Sequence, residues 1–160
     1  MSIIIAGPCQ IESIEQGVKI ATVCKAVCEK YGFDYYFKAS FDKANRTSIH
    51  GERGMGLADG IDALFEVKRT VGVKTCTDFH DTWQIGYAQR ENLLPDIIQI
   101  PAFLCRQTDL LVTAVKTGRI VNIKKGQFLA PWDVTGILSK TGNENVMITE
   151  RGTSFGYNTL

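Results

Sequence analysis

Residues 3–30, IIIAGPCQIESIEQGVKIATVCKAVCEK, combine the two repeating patterns from which the fold is predicted. The run at 3–6 is short and wholly apolar, which is typical of a buried strand. Residues 14–30 then repeat apolar side chains along one helical face. Ser13 and Gln16 match a capping box, in which each side chain accepts a hydrogen bond from a free backbone N–H of the first turn. The pattern therefore predicts a strand followed by a helix that begins near residue 14.

The same alternation continues along the rest of the chain. Further strands are predicted at 35–39, 73–77, 97–100, 120–124 and 146–149. Further helices are predicted at 57–70, after Thr82 with an uncertain end, at 108–116 and at 133–139. Since each strand leads into a helix or the chain end, we expect the six strands to form a mostly parallel sheet.

Chain length limits how this sheet can be closed. A (β/α)8 barrel typically needs about 250 residues and eight strands, whereas these 160 residues provide six. An open doubly wound sheet of flavodoxin type suits six strands in a chain of this length. Periodicity alone does not separate that architecture from an incomplete barrel. Without a linker or a low-complexity tract, residues 1–160 are predicted to form a single domain.

Composition excludes several classes of function. Eighteen Lys and Arg against 17 Asp and Glu leave a net charge of +1, so no overall basic field favours nucleic acid as a partner. No apolar run approaches the roughly 20 residues that cross a bilayer, so we expect no membrane partner and a cytoplasmic protein. Five cysteines are an odd number for a disulfide framework, and reduced thiols are predicted.

Polar side chains follow the predicted strands at their C-terminal ends. They are Cys9, Lys38 with Lys43, Asp78 with His80, Arg106, Lys124 and Arg151. These strand ends meet on one face of a parallel sheet, where ligands bind. Lysines at such positions can also extend into solvent. Several cations on one face nevertheless predict a pocket for a small, strongly negative substrate.

Two other features have weaker functional interpretations. The glycines at 51–60 include the spacing G-x-G-x-x-x-G and follow a polar loop, so they do not support a dinucleotide site. His80 could act as a base or a ligand, but a chain with two histidines cannot form a multi-histidine metal site.

Six motifs, in the same order along the chain, closely resemble those of the 3-deoxy-D-manno-octulosonate 8-phosphate synthases. They lie at 6–13, 37–48, 77–80, 99–109, 122–127 and 149–157. The run KASFDKANR separates this resemblance from the related 3-deoxy-D-arabino-heptulosonate 7-phosphate synthases. The resemblance implies an α/β fold made of parallel βα units of a TIM (β/α)8 barrel, incomplete with about six strands, in place of a flavodoxin-type sheet.

The resemblance also implies a reaction. Such synthases condense phosphoenolpyruvate with D-arabinose 5-phosphate and water and release phosphate, in the cytoplasmic supply of an eight-carbon sugar for lipopolysaccharide. By analogy, the catalytic residues are Lys43, Asn45 and Asp78. Substrate binding is assigned by the same analogy to Lys38, Ser40, Arg46, Thr47, Ala102, Arg106, Lys124, Gln127 and Arg151.

The implied contacts divide by chemical group. The phosphate of phosphoenolpyruvate is held by Lys124, Arg151 and the backbone near Ala102, with Arg106 close by. Its carboxylate is held by Lys38 and Lys43. Asn45 and Asp78 meet the hydroxyls and the reacting end of the pentose. Arg46 and Thr47 hold the sugar phosphate, in the family across a subunit boundary.

The motif Gly7-Pro8-Cys9 resembles that of the metal-dependent class of the family. Members of that class hold a divalent ion with this cysteine and with a His, a Glu and an Asp. In that class the other three ligands follow the R-G-x-x-F-G-Y motif, and this chain ends just past it. We therefore expect that a divalent metal ion is not retained by this chain. The expected partners are the two substrates, together with further copies of the chain or a complementing C-terminal chain. Two alternatives remain open: an inactive fragment that still binds phosphorylated anions, or half of a split enzyme.

Overall fold

The computed structural model describes residues 2–142 and 144–157. Its strands are β1 (Ile3–Ala6), β2 (Asp34–Lys38), β3 (Lys74–Asp78), β4 (Ile97–Ile100), β5 (Ile120–Lys124) and β6 (Val146–Thr149). Its helices are α1 (Ile14–Lys30), α2 (Leu57–Val71), α3 (Thr82–Arg90), α4 (Thr108–Lys116) and α5 (Val134–Thr141). Short 3-10 turns occupy Ala102–Leu104 and Pro131–Asp133. Each predicted strand and helix is present, and the bounds that were predicted differ by at most two residues; the end of α3, which was not predicted, lies at Arg90.

The helix ends follow from local capping interactions. At the start of α1, Ser13 Oγ accepts a hydrogen bond from the backbone N–H of Gln16 at 3.1 Å, as the capping box predicts. The reciprocal bond differs, because Gln16 Oε1 accepts from the N–H of Glu12 rather than from that of Ser13. Helix α2 ends at Gly72, whose φ of 66° lies in the left-handed region that glycine adopts without steric cost. Its N–H donates to the carbonyl of Lys68 and so closes the last turn.

The strand order separates the two architectures that periodicity left open. All neighbouring strands are parallel, and they follow chain order from β1 to β6. A flavodoxin-type sheet instead places β1 inside the sheet, between β2 and β3. Sequential order is that of a barrel, in which each βα unit adds its strand on the same side of the previous one. The chain therefore forms an incomplete TIM barrel.

The two faces of the sheet differ in content. The outer face packs against the helices through two large apolar clusters, one around Ile98 and one around Phe37. The inner face carries a smaller apolar cluster of Tyr36, Cys76 and Ile97. Because side chains alternate along a strand, the residues two positions further along share that inner face, and these are Lys38, Asp78 and Gln99. The sheet therefore directs polar side chains to the C-terminal end of its inner face.

The helices form a layer over the outer face of the sheet. The longest, α1, has 17 residues. Helix α1 packs against α2, α3 against α4, and α4 against α5. Among the residues that the structure describes, no helix is both long enough and apolar enough to cross a bilayer.

Candidate active site

Asp78, at the C-terminal end of β3, is the centre of a hydrogen-bonded cluster. Its Oδ2 accepts from Lys38 Nζ at 2.8 Å and from Ser40 Oγ at 2.6 Å. Its Oδ1 accepts from Lys124 Nζ at 3.2 Å and from Gln99 Nε2 at 2.7 Å. Donors that lie in or just after β2, in β4 and in β5 therefore surround one carboxylate.

A chain of side-chain hydrogen bonds continues from Asp78 across the sheet. Gln99 Oε1 accepts from Asn122 Nδ2 at 3.0 Å, and Asn122 Oδ1 accepts from Thr149 Oγ1 at 2.7 Å. We call the side chains of Asp78, Gln99, Asn122 and Thr149 the amide relay. Each donor in the amide relay points toward Asp78, so the bonds polarise one another in the same direction. The relay therefore fixes the orientation of the Gln99 amide against the carboxylate.

The charges around Asp78 keep its carboxyl group ionised. Burial by itself raises the pKa of this group, but the ammonium groups of Lys38 and Lys124 outweigh burial and hold the pKa well below its ordinary value. Burial lowers the pKa of Lys124, and the opposing effect of Asp78 does not fully compensate. At neutral pH, Asp78 is therefore a fixed negative charge between two lysines.

An open cavity of about 150 Å³ lies at this end of the sheet. The predicted site residues that line it are Ser40, Lys43, Asn45, Asp78, Ala102, Lys124 and Arg151. Lys38 is joined to the same cluster through its hydrogen bonds to Ser40 and Asp78. The structure thus brings cations from separate strands and loops to one small volume.

The loop after β2 forms one wall of the cavity. Lys43 Nζ donates to Ser40 Oγ at 3.0 Å, and the backbone N–H of Lys43 donates to the carbonyl of Arg53 at 2.7 Å. The guanidinium group of Arg53 in turn pairs with the carboxylate of Asp42. These contacts tie the two ends of the loop together and hold Lys43 and Asn45 at the cavity.

Besides Lys38, four of the predicted binding residues do not line this cavity. Arg46 is exposed and donates to Gln10 Oε1 and to the carbonyl of Glu52. Thr47 is exposed in the same loop, and its predicted role at a subunit boundary stays a prediction. Arg106 lines a separate cavity beside α5. Gln127 reaches the site indirectly, because its Oε1 accepts from Arg151 Nη1 at 2.8 Å.

Cys9, the predicted metal ligand, is exposed in the loop after β1. Lys43, as a hydrogen-bond donor and as a positive charge, lowers the pKa of the Cys9 thiol. Within residues 2–142 and 144–157, however, no three His, Cys, Asp or Glu side chains come together as a metal site. A single thiolate does not match the ligand set of a divalent ion. We therefore assign no chemical step to a metal.

His80 borders the cavity between two aromatic rings. The centroid of its ring lies 6.0 Å from that of Phe41 and 6.4 Å from that of Phe103. Burial lowers the pKa of the His80 imidazole, so the neutral form predominates at physiological pH. Its Nδ1 is buried without a hydrogen-bond partner among the described residues. His80 therefore provides a neutral wall rather than another cation.

In the amide relay, sequence reasoning assigned a role to Asp78 alone and none to Gln99, Asn122 or Thr149. The sequence nevertheless contained a pattern that indicates two of them. Gln99 and Asn122 each interrupt an otherwise apolar strand, and a buried amide in that position needs a hydrogen-bonding partner. The strand register places Asp78 beside Gln99 and Gln99 beside Asn122. Comparing polar positions between neighbouring parallel strands would have found this part of the site.

Comparisons with known proteins identify related sequences. A sequence model of the DAHP synthetase I family matches residues 1–160. The chain is 50% identical over 160 residues to the 2-dehydro-3-deoxyphosphooctonate aldolase of Cyanothece sp., an alignment that covers 98% of this chain and 58% of that protein. It is 52% identical over 160 residues to the aldolase of the same name from Brucella anthropi, covering 98% of this chain and 57% of that protein.

A third relative has a similar identity and a similar coverage. The 2-dehydro-3-deoxyphosphooctonate aldolase of Fusobacterium nucleatum is 50% identical over 161 residues, covering 99% of this chain and 57% of that protein. The chain therefore spans little more than half the length of the curated relatives that it matches.

Proposed function

The chain belongs to the DAHP synthetase I family, and on that premise we propose that its cavity serves the condensation of phosphoenolpyruvate with D-arabinose 5-phosphate and water. The products are 3-deoxy-D-manno-octulosonate 8-phosphate and phosphate. The choice of this reaction within the family rests on the relatives named 2-dehydro-3-deoxyphosphooctonate aldolase. The comparisons do not favour the alternatives of an inactive fragment or half of a split enzyme.

One observation carries the proposal. Lys43, Lys124 and Arg151 line a single cavity with Asp78, and Lys38 Nζ lies 2.8 Å from the same carboxylate. Phosphoenolpyruvate carries a phosphate and a carboxylate close together, so its site needs several fixed cations. Hydrogen bonds between ionised groups are the strong ones. A cavity with an excess of cations at the C-terminal end of a parallel sheet matches that ligand.

Two parts of the cavity suit the two anionic groups of phosphoenolpyruvate. In our proposal, Lys124 and Arg151 hold its phosphate together with the backbone near Ala102. Lys38 and Lys43 hold its carboxylate. Support for this division comes from the strand positions, because the first pair lies at the β5 and β6 end of the site and the second pair lies in and after β2.

The pentose occupies the remaining part of the site in the same proposal. Asn45 and Asp78 contact its hydroxyls and its reacting end, while Arg46 and Thr47 hold its phosphate against a second copy of the chain. Ser40, also assigned to substrate binding, joins the two sets of residues, since its hydroxyl accepts from Lys43 and donates to Asp78. The proposed reaction belongs to cytoplasmic synthesis of a lipopolysaccharide precursor.

The bond changes follow from this placement. Carbon 3 of phosphoenolpyruvate attacks the aldehyde carbon of the pentose, and water adds at carbon 2, where positive charge develops beside the carboxylate. One proton leaves the water and one is taken up by the former aldehyde oxygen. In the resulting hemiketal phosphate, the bond between carbon 2 and the phosphate oxygen then breaks, the carbon 2 hydroxyl gives its proton to the departing phosphate, and a ketone remains. The lysines offset the repulsion between the two anionic substrates, and orientation of this kind accounts for about 7 kcal/mol or more of a barrier in well-aligned systems.

Binding of phosphoenolpyruvate to the chain tests the assignment. Lys124→Ala and Arg151→Ala are each expected to lower the affinity measured by calorimetry at least about tenfold, because each removes a charge-assisted hydrogen bond. Arg69→Ala is the matched control, since Arg69 is an exposed cation that pairs with Glu66 on α2. An affinity equal to that of the control would remove the substituted residue from the site.

The reaction itself is tested by mixing the chain with both substrates. Release of inorganic phosphate that requires the pentose phosphate as well as phosphoenolpyruvate supports the condensation. Binding of phosphoenolpyruvate without any such release would limit the proposal to substrate binding by this chain.

A further inference from the structure

Lys125 is a buried lysine that the proposed reaction does not use. It directly follows Lys124 at the end of β5, yet its exposed fraction is 0%. Its Nζ donates to the carbonyls of Leu129 and Gly152 at 2.9 Å each and to that of Gly126 at 3.3 Å. A buried ammonium group is tolerated only when it is satisfied in this way.

The carbonyls that Lys125 binds belong to two separate segments. We call residues 126–130 the β5 loop and residues 150–154 the β6 loop. Lys125 Nζ also lies 3.3 Å from Glu150 Oε1. The same oxygen accepts from the backbone N–H groups of Arg151 and Gly152 at 2.8 Å each. Lys125 therefore contacts both loops and the carboxylate that shapes the backbone at Arg151.

These two loops also contact each other through groups at the cavity. Arg151 in the β6 loop donates to Gln127 Oε1 in the β5 loop at 2.8 Å. The backbone N–H of Ser154 donates to the carbonyl of Gln127 at 2.9 Å. The position of the Arg151 guanidinium group relative to Lys124 therefore depends on how the two loops are joined.

We propose that Lys125 is a positioning residue, whose buried ammonium group joins the β5 loop to the β6 loop and thereby places Arg151 and Lys124 for binding one phosphate group. The inference rests on the proposed function, which assigns the phosphate to these two cations. Without the ammonium group, the carbonyl oxygens of Leu129 and Gly152 lose the donor that joins them, whereas the carbonyl of Gly126 keeps the backbone N–H of Leu129. Since the Leu129 carbonyl is buried and the Gly152 carbonyl is partly buried at this contact, their loss of a donor forces the loops apart or admits water.

Lys125→Met tests this role, because methionine is similar in length but carries no charge. Affinities for phosphoenolpyruvate and for inorganic phosphate are each expected to fall at least about tenfold by calorimetry. Lys68→Met is the matched control, since it removes a lysine that pairs with Asp96 at 2.7 Å outside the cavity. The control is expected to lose thermal stability with both affinities unchanged. Lost stability with unchanged affinity in Lys125→Met would overturn the proposal and leave Lys125 a structural residue.

Backbone amide hydrogen exchange measures, without any ligand, how often the β5 and β6 loops open. Lys125→Met is expected to speed exchange in the β5 and β6 loops at least about tenfold while β3 and β4 keep their protection. Unchanged exchange in both loops would overturn the proposal. If the wild-type chain binds neither anion, the proposed function fails, and the exchange result alone decides whether Lys125 joins the loops.

A second variant covers the case in which Lys125→Met does not fold. Glu150→Gln removes the charge partner of Lys125 from a side chain that is 55% exposed and keeps an oxygen for the two backbone N–H groups. Its affinity for phosphoenolpyruvate is expected to fall about threefold, in the range of a partly exposed ion pair. Wild-type affinity in this variant, with unchanged exchange in the β6 loop, would overturn the proposal.

Discussion

Replacing Asp78 by asparagine tests whether the cation cluster depends on a single carboxylate. The substitution keeps the size of the side chain and removes its charge. Asp78 accepts hydrogen bonds from Lys38, Ser40, Gln99 and Lys124. The amide relay can adapt by rotating each amide, because the hydroxyl of Thr149 can then accept instead of donating. The cost of the substitution therefore arises mainly from the two lysines.

The size of that cost follows from the burial of the lysines. The side chains of Lys38 and Lys124 are 16% and 29% exposed, so neither ammonium group is fully hydrated once its counterion is gone. Removing one partner of a largely buried ion pair costs about 3–5 kcal/mol. Since both lysines keep some contact with water, we expect Asp78→Asn to lower the free energy of unfolding by about 3 kcal/mol, near the lower end of that range.

The cost is expected to depend on pH in one direction. The pKa of the Asp78 carboxyl group is lower in the folded than in the unfolded chain. Its contribution to stability is therefore fully present above the ordinary aspartate pKa of about 3.9 and is lost as the pH falls below that value. The difference in stability between the wild type and Asp78→Asn is expected to be constant near neutral pH and to narrow below about pH 4.

Urea unfolding followed by circular dichroism at several pH values measures both effects. Asp62→Asn provides the control, because Asp62 is an exposed aspartate on α2. A variant Asp78→Asn as stable as Asp62→Asn at pH 7 would show that the lysines do not need this counterion. A difference that stays constant down to pH 3 would show that Asp78 does not titrate below its ordinary range.

Three further properties can be measured on the same chain: the effect of helix glycines on stability, the pH dependence of affinity and the metal content. Gly60→Ala is expected to lower stability by about 1–3 kcal/mol in thermal unfolding, because a Cβ there lies 2.4 Å from Phe41 Cβ. Gly136→Ala, also in a helix but with nothing within 4 Å of its Cβ, is expected to raise stability by about 0.5–1 kcal/mol; a loss of stability there would contradict the packing argument. Phosphoenolpyruvate affinity is expected to fall with rising pH before the ordinary lysine range is reached, because burial lowers the pKa of Lys124. Lys124→Arg moves this fall to higher pH, and identical profiles would assign it to another group. After dialysis, elemental analysis is expected to find far less than one divalent ion per chain; one full equivalent that Cys9→Ala loses would instead show a metal site.

The secondary structure could be predicted well from the sequence because short apolar runs mark the strands and apolar residues repeat along one face of each helix. Clear capping and turn residues separate these segments. Ser13 and Gln16 located the start of α1, where one of the two predicted capping contacts is present and the reciprocal one goes to the N–H of Glu12. The strand order was a different problem. A barrel and a flavodoxin-type sheet use the same alternation of strand and helix, and they differ in the partner of β3, which is β2 in a barrel and β1 in a flavodoxin-type sheet. That choice depends on packing between elements distant in the chain, so the resemblance to a family, and not periodicity, predicted it.

Part of the site was predictable for a topological reason. The C-terminal ends of parallel strands meet, so cations that follow different strands come together whatever their distance in sequence. Individual orientations were not predictable. Lys124 and Lys125 are neighbours of the same residue type, yet Lys124 lines the cavity and Lys125 is fully buried beneath two loops. Lys125 is buried because it donates to the carbonyls of Leu129 and Gly152, and no local sequence pattern predicts where those carbonyls lie.

Asp78 forms ion pairs with two lysines that the proposed function assigns to an anionic substrate, and these pairs stabilise a cluster of cations within the fold. The carboxylate neutralises part of the charge of Lys38 and Lys124 inside the fold. It does not neutralise all of it, since burial still lowers the pKa of Lys124 despite the nearby carboxylate. The ammonium groups that a second anion would contact are therefore already held in place, and Asp78 neutralises only part of their charge. On the proposed function, anion binding relieves a cost that folding imposes, because the substrate phosphate supplies negative charge that Asp78 alone does not provide.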